Sequence, residues 1–255
     1  MPILWLVLIS FQKPIDIVTW PPSIFFKPTF ENYKIILSEG SNYLTFNKTL
    51  FNSIIIVLVS VPVSIMFASF TAYSISRLRP KGSKILNYII LGVRMIPPIA
   101  FVAPLYVIYS NLNLLDTKIG IILPFIALNI PMATWILEGF FEDIPKNLED
   151  AALIDGCTPF QALIRVILPL VAPGVAATSI FVFIFSWNEL TLPLPLTTIK
   201  AVTLPVLISQ LKTESGILWG QMAAITVVMI VPIIIFTAFA AKYLIKGLAR
   251  GSVKG

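Results

Sequence analysis

The chain has no histidine among its 255 residues. That absence excludes zinc proteases of the HExxH type, hydrolases built on a Ser–His pair, and histidine proton relays. There is one cysteine, Cys157, so no intrachain disulfide forms, and a lone small residue beside Gly156 is read as packing. No G-x-x-x-x-G-K-S/T loop occurs, so this polypeptide does not bind ATP in the Walker manner. Any energy source is an ion gradient or another subunit. Charge is scarce too: 12% of residues are Asp, Glu, Lys or Arg, where a soluble domain carries about a quarter.

What is present is hydrocarbon, at 57% of residues. Five stretches lack any charged side chain: 49–76, 95–115, 119–137, 166–188 and 215–241. Each is close to or above the ~18–20 residues that a helix needs to cross a bilayer. They lack the period-two alternation of barrel strands, and a helix satisfies its own backbone in lipid. The fold class expected is therefore an all-α polytopic membrane protein with five full spans. Residues 1–12 (MPILWLVLISFQ) rise only about 18 Å as a helix and form a partial sixth. They lack the basic leader and cleavage site of a secretory signal, so they are expected to be the C-terminal part of a first transmembrane helix whose start is missing.

Basic residues set the orientation. Arg77, Arg79, Lys81 and Lys84 fill one short connection without an acid, and Lys242, Lys246, Arg250 and Lys254 fill the C-terminal tail. Both are expected to be cytoplasmic. Segments 13–48, 112–118 and 189–214 mix both signs and fall outside, which leaves 138–165 cytoplasmic. The cations flank spans and form no separate basic module, so no nucleic-acid partner is expected.

Residues 150–170 (DAALIDGCTPFQALIRVILPL) are unusually polar for such a chain. Pro145 suits a first helical turn, Leu148, Ala151 and Ala152 share a face at i, i+3, i+4, and Gly156 sits where a helix would end in a left-handed residue. Thr158-Pro159-Phe160-Gln161 then reads as a capping box with proline at the first helical position. The pattern predicts a helix, a sharp glycine turn and a second helix running into the next span. The other reading is a surface loop with two solvated acids, but its length and capping argue for a fixed shape. The alanines let a partner surface approach closely, and the acids offer acceptors at the edge.

These residues resemble the cytoplasmic E-A-A-x-x-D-G signature of the permease subunits of ATP-binding-cassette (ABC) importers, with Leu168-Pro169 downstream. The resemblance extends through Asn52-Ser53, AYSISRLRPKG at 72–82, RMIPP at 94–98, FSWNEL at 185–190 and KGLARGSVKG at 246–255, and is to the smaller permease of the maltose-type carbohydrate importers. The family's glutamate falls on Asp150, with Glu149 just before it, so the carboxylate is kept one methylene shorter.

The resemblance implies a type I ABC importer permease fold: a transmembrane domain over 49–248, an extracytoplasmic segment at 13–48, a coupling-helix loop at 142–165 and a cytoplasmic tail at 249–255. It implies a multi-pass protein of the cell (inner) membrane of a bacterium or archaeon. Its partners would be membrane lipid, a second homologous permease, an extracytoplasmic solute-binding protein, and two ATPases that hold ATP and Mg, this chain holding no cofactor or metal and catalysing nothing. Coupling residues would be Glu149, Asp150, Ala151, Ala152, Asp155, Gly156, Thr158 and Pro159. The cargo would be an oligosaccharide, disaccharide, polyol or glycerol phosphate.

Arg94 counts to about 14 Å inside its helix, near the bilayer centre, where a charge faces protein or water. A buried arginine bonded to carbonyls or to a partner's acid is the leading reading, and lining the sugar path with Trp187, Asn188 and Glu189 is the lesser one. Pro62, Pro97, Pro98, Pro124, Pro131 and Pro232 read as kinks in spans, and Trp135, Trp187 and Trp219 as an interfacial belt. Two rival functions stay open. A secondary, ion-coupled transporter would need intramembrane acids that are not seen, and a structural membrane protein would have no use for a capped insert.

Overall fold

A computed structural model describes residues 2–20, 25–38, 45–213 and 216–251, with the side chains of Lys84, Thr213 and 244–251 left aside. The chain runs through α1 (Pro2–Ser10), α2 (Pro14–Ile17), α3 (Glu31–Ser38) and α4 (Phe46–Tyr73), which ends in a π-helical turn at Ser74–Leu78. Next come α5 (Ser83–Arg94), a 3-10 turn at Pro98–Phe101, α6 (Val102–Asn111) and α7 (Lys118–Glu142). Then follow α8 (Lys146–Ile154), α9 (Pro159–Ala162), a second π-helical turn at Leu163–Ile167, and α10 (Leu168–Asn188). The chain closes with α11 (Pro193–Leu196), α12 (Leu204–Gln210), a pairing of β1 (Lys212–Thr213) with β2 (Gly216–Ile217), and α13 (Trp219–Gly251).

Among the described residues four helices are long and apolar enough to cross a membrane: Phe46–Leu78, Lys118–Glu142, Pro159–Asn188 and Trp219–Tyr243. A bent pair, Ile85–Arg94 with Pro98–Asn111, makes a fifth if counted as one span. The span expected over 95–115, with Pro97 and Pro98 as kinks, is thus corrected to a bent pair that starts earlier. A helix begins earlier, at Ser83, and breaks after Arg94, because Pro97 and Pro98 remove two consecutive N–H donors and disfavour the α conformation before them. Isolated prolines are absorbed: Pro62, Pro124, Pro131, Pro173 and Pro232 all lie inside continuous helices. The nine residues of α1 are too short to be a span themselves. Helix α13 also continues to Gly251, past the boundary expected at 248, and residues 252–255 lie outside the described residues.

The chain divides into two compact units. One comprises Met1–Ile56, Phe101–Ile121 and Asn188–Ile235, with Ile56, Tyr109, Ile121, Leu192, Leu204 and Val206 in its core. Polar side chains stitch its loops to its helices. Asn32 donates to the carbonyls of Ser10 (3.0 Å) and Gln12 (2.9 Å), and Asn52 to those of Lys200 (2.9 Å) and Val202 (3.0 Å). The Ser53 hydroxyl accepts from the Leu204 amide at 2.9 Å. Buried groups that would otherwise be orphaned are thereby satisfied.

The other unit comprises Val57–Ala100, Ile122–Trp187 and Phe236–Gly255. Small residues let its helices approach closely: a Cβ added at Gly174 would fall 2.3 Å from the Phe140 ring, so α10 and α7 touch where only hydrogen fits. Phe125, Leu137, Phe141, Leu163, Ile167 and Val171 fill its interior.

Candidate functional site

Helix α8 starts at Lys146, with Pro145 as the extended residue before it, one position earlier than the first-turn place expected. Its end is a paired set of turns. The amide of Gly156 donates to the Leu153 carbonyl (3.1 Å) and that of Cys157 to the Ala152 carbonyl (3.0 Å), which is the Schellman pattern. Gly156 takes φ +89°, the left-handed conformation that this pattern needs and that side chains resist. Two residues on, the Thr158 hydroxyl accepts from the Gln161 amide (3.3 Å) while Gln161 Oε1 accepts from the Thr158 amide (2.9 Å). Pro159 follows at the first helical position. Local sequence chemistry therefore produces helix, glycine turn and capped helix as expected.

The faces are divided differently from the expected stripe. Ala152 is only 7% exposed, turned into the chain, where α8 packs on α9 and on the π-turn. Leu148, Ala151, Leu153 and Ile154 face outward, Ile154 most of all at 85% exposed. Asp150, Asp155, Gly156, Thr158, Pro159 and Phe160 are exposed with them. The outward surface is thus an apolar ridge edged by two acids, and Ala152 belongs to its foundation. The i, i+3, i+4 spacing grouped Ala152 with Leu148 and Ala151, and the packing of α8 on α9 and the π-turn separates it from them.

Glu149 points the other way from Asp150. Its Oε1 accepts a short hydrogen bond from the Tyr73 hydroxyl at the end of α4, and its Oε2 lies 3.9 Å from Arg77 Nε. Arg77 also donates to the Ile144 carbonyl just before α8. Tyr73 packs edge-on to Phe141 of α7, with centroids 6.0 Å apart, and Phe70 stacks on Phe160. Tyr73 and Arg77 are functional candidates that spacing alone does not reveal, although both lie in the 72–82 motif.

The other group of candidates falls in both compact units, Arg94 and Trp187 in one and Asn188 and Glu189 in the other. Arg94 ends α5, where its charge suits the helix C-terminus. It donates to the Leu128 carbonyl (3.2 Å) and to Met132 Sδ (3.5 Å) and lies 5.2 Å over the Phe185 ring. Trp187 is 2% exposed and stacks on Phe183, whereas Trp135 and Trp219 are exposed. Asn188 lines a cavity of about 280 Å³ with Leu190, Pro205, Thr226 and Met229. Glu189 is engaged locally, accepting from the amides of Thr191 (2.7 Å) and Leu192 (3.3 Å).

Asp116 was not singled out by the sequence, yet it is the most heavily bonded carboxylate among the described residues. It accepts from the amides of Thr198, Ile199, Lys200 and Ala201 at 2.9–3.2 Å and from the Thr198 hydroxyl at 3.0 Å. Successive amides cupped around one anion form a nest. Burial pushes the carboxyl up, but the four amides outweigh it and hold it below the usual carboxylate range.

Comparison with known proteins places these features in a family. Residues 60–250 match the model described as binding-protein-dependent transport system inner membrane component. The trehalose transport system permease protein SugB of Mycobacterium tuberculosis is 38% identical over 258 residues, covering 100% of this chain and 92% of that one. The trehalose/maltose transport system permease protein MalG of Thermococcus litoralis is 34% identical over 256 residues, covering 100% and 91%. The fold also matches a chain of a bacterial ABC transporter that imports the acidic polysaccharide alginate, with TM-score 0.75, 24% identity, and 95% and 89% of the two chains covered.

Proposed function

The chain belongs to the family of inner membrane components of binding-protein-dependent transport systems, and on that premise we propose that it forms half of the path of an importer for a sugar or sugar-like solute. It is an integral membrane protein and a permease subunit. A second homologous permease completes the path, two cytoplasmic ATPases bind ATP and Mg and hydrolyse it, and an extracytoplasmic binding protein delivers the solute. The C-terminus lies on the cytoplasmic side, with the basic connection around Arg77 and Arg79.

The observation that carries this reading is the geometry of α8: a short helix closed by Gly156, presenting Leu153 and Ile154 between Asp150 and Asp155. A solvated loop has no need of an apolar ridge on a capped, internally packed support. A docked cytoplasmic subunit does, because a rigid-body shift can be transmitted only through an element that keeps its shape. The solute class follows from the relatives' trehalose and maltose systems. Affinity purification of this chain from native membranes should bring down an ATPase and a second permease, and vesicles holding the complex with its binding protein should take up labelled sugar only with ATP. Proton-driven uptake by a preparation lacking both partners would overturn the proposal.

A further inference from the structure

Helix α8 continues directly through the glycine turn and α9 into α10, and that connection is the evident route for a movement of α8 into the membrane. The structure holds a second route. We propose that Glu149, Tyr73 and Arg77 form a joint that passes displacement of α8 to α4, so that the span at Phe46–Leu78 is driven alongside the span that follows α9. This rests on the reading of α8 as the ATPase-docking element.

Three observations carry it. Glu149 and Arg77 are withdrawn from solvent, their side chains 13% and 4% exposed, although they lie on an otherwise polar cytoplasmic connection. Withdrawing an ion pair is costly unless its members are well bonded, and a lone surface acid on α8 would simply point to water as Asp150 does. Second, the bonds radiate from one carboxylate to one helix: Oε1 to the Tyr73 hydroxyl and Oε2 toward Arg77, with Arg77 also held to the Ile144 carbonyl at the entry to α8. The entry to α8 and its first turn are thus both tied to the end of α4 and the π-helical turn that follows it. Third, Arg77 Nε is buried with no hydrogen-bond partner among the described residues and lies 3.9 Å from Glu149 Oε2. The Glu149 carboxylate is therefore the acid that balances this withdrawn guanidinium, so displacing Glu149 would leave a buried charge uncompensated and α4 would be pulled with it. The Arg79–Glu142 pair beside it, exposed at both ends, contributes little.

Tyr73, Arg77 and Glu149 are positioning residues, acting on the path through α4, and their signature is the ratio of sugar imported to ATP hydrolysed. The test uses the complete importer in vesicles, measuring both rates and ATPase co-purification. Tyr73→Phe keeps the ring against Phe141 and removes only the hydroxyl. It should lower sugar imported per ATP by roughly tenfold or more, the scale of losing one charge-assisted hydrogen bond. Glu149→Ala should do the same, and combining the two should be no worse than Glu149→Ala alone, because both act through one bond. Glu149→Gln, which preserves an acceptor for Tyr73, should recover part of the loss. ATPase co-purification should be unchanged in all of them. Overturning results are an unaltered ratio in Tyr73→Phe, additive losses in the double variant, or loss of co-purification in Glu149→Ala, which would make Glu149 a direct contact. If the unsubstituted complex itself lacks an ATPase, it is the underlying reading of α8 that fails.

Discussion

Replacing Gly156 with valine isolates what the turn after α8 costs to build. A Cβ placed there meets nothing within 4 Å, so the substitution introduces no clash. The entire penalty is conformational. At φ +89° an L-residue pays about 1–2 kcal/mol, and a β-branched one pays at the upper end. Gly139, within helical α7, offers the matched control, since a Cβ there also meets nothing and no unusual φ is involved. Gly139→Ala should be neutral or should stabilise by up to about 1 kcal/mol. The readout is amide hydrogen exchange in detergent, where the bonds from Gly156 to Leu153 and from Cys157 to Ala152 protect the turn. A 1–2 kcal/mol penalty should speed exchange over 153–157 by about 5–30-fold in Gly156→Val, with sugar uptake falling in parallel. Gly156→Asn should lie between, because asparagine tolerates the left-handed region. Equal exchange in Gly156→Val and Gly139→Ala would refute the reasoning, since it would mean that backbone conformation is not what closes the helix.

Gly174→Ala should be far more damaging than Gly139→Ala, costing about 1–3 kcal/mol by overpacking against Phe140, and Phe140→Leu in the same chain should restore part of the loss in thermal melting. Ala152→Trp should lower thermal stability of the isolated chain, because Ala152 is an internal contact, whereas Ala151→Trp should leave stability intact and reduce ATPase co-purification. Asp116 has a depressed pKa when folded, so its bonds to 198–201 stabilise fully above the normal carboxylate range and are lost as pH falls through the folded value. Hydrogen exchange over 197–203, corrected for intrinsic rate, should therefore rise on acidification, and Asp116→Asn should abolish that dependence.

The spans were legible because a charge-free run of twenty residues has few options in lipid. The size of the break between α5 and α6 was not, since Pro97 and Pro98 read as kinks like the single prolines of α7, which cause no comparable interruption. Consecutive prolines differ from isolated ones because two neighbouring donors vanish in the same turn. In the site, Gly156, Thr158 and Gln161 could be read because capping is chemistry between residues two to five apart. The partners of Glu149 could not, as Tyr73 lies 76 residues away and only the packing of α4 against α8 brings them together. Asp116 was missed for the same reason, its nest being 82 to 85 residues downstream. Tryptophan near a span's end fits both a lipid interface and a helix interior, so the burial of Trp187 against Phe183 could not be read from position alone.

The division of labour between the rim acids and the apolar ridge determines how the proposed ATPase contact should respond to salt. Asp150 and Asp155 are exposed at the rim of the ridge, where 0.15 M salt screens charges beyond about 8 Å. Rim charges govern encounter more than residence, so Asp150→Ala should slow association and flatten its salt dependence while leaving dissociation nearly unchanged. Ile154 is different: at 85% exposure it has the most to bury, and an apolar anchor that fills a partner's pocket acts on dissociation. Ile154→Asp should therefore release the ATPase at least tenfold faster at any salt, with no change in melting temperature, since nothing inside this chain depends on that side chain. Surface-captured permease complex in detergent, exposed to ATPase at several ionic strengths, separates the two rates. Should Asp150→Ala accelerate dissociation as much as Ile154→Asp does, the acid is buried in the contact and the apolar ridge is not its centre.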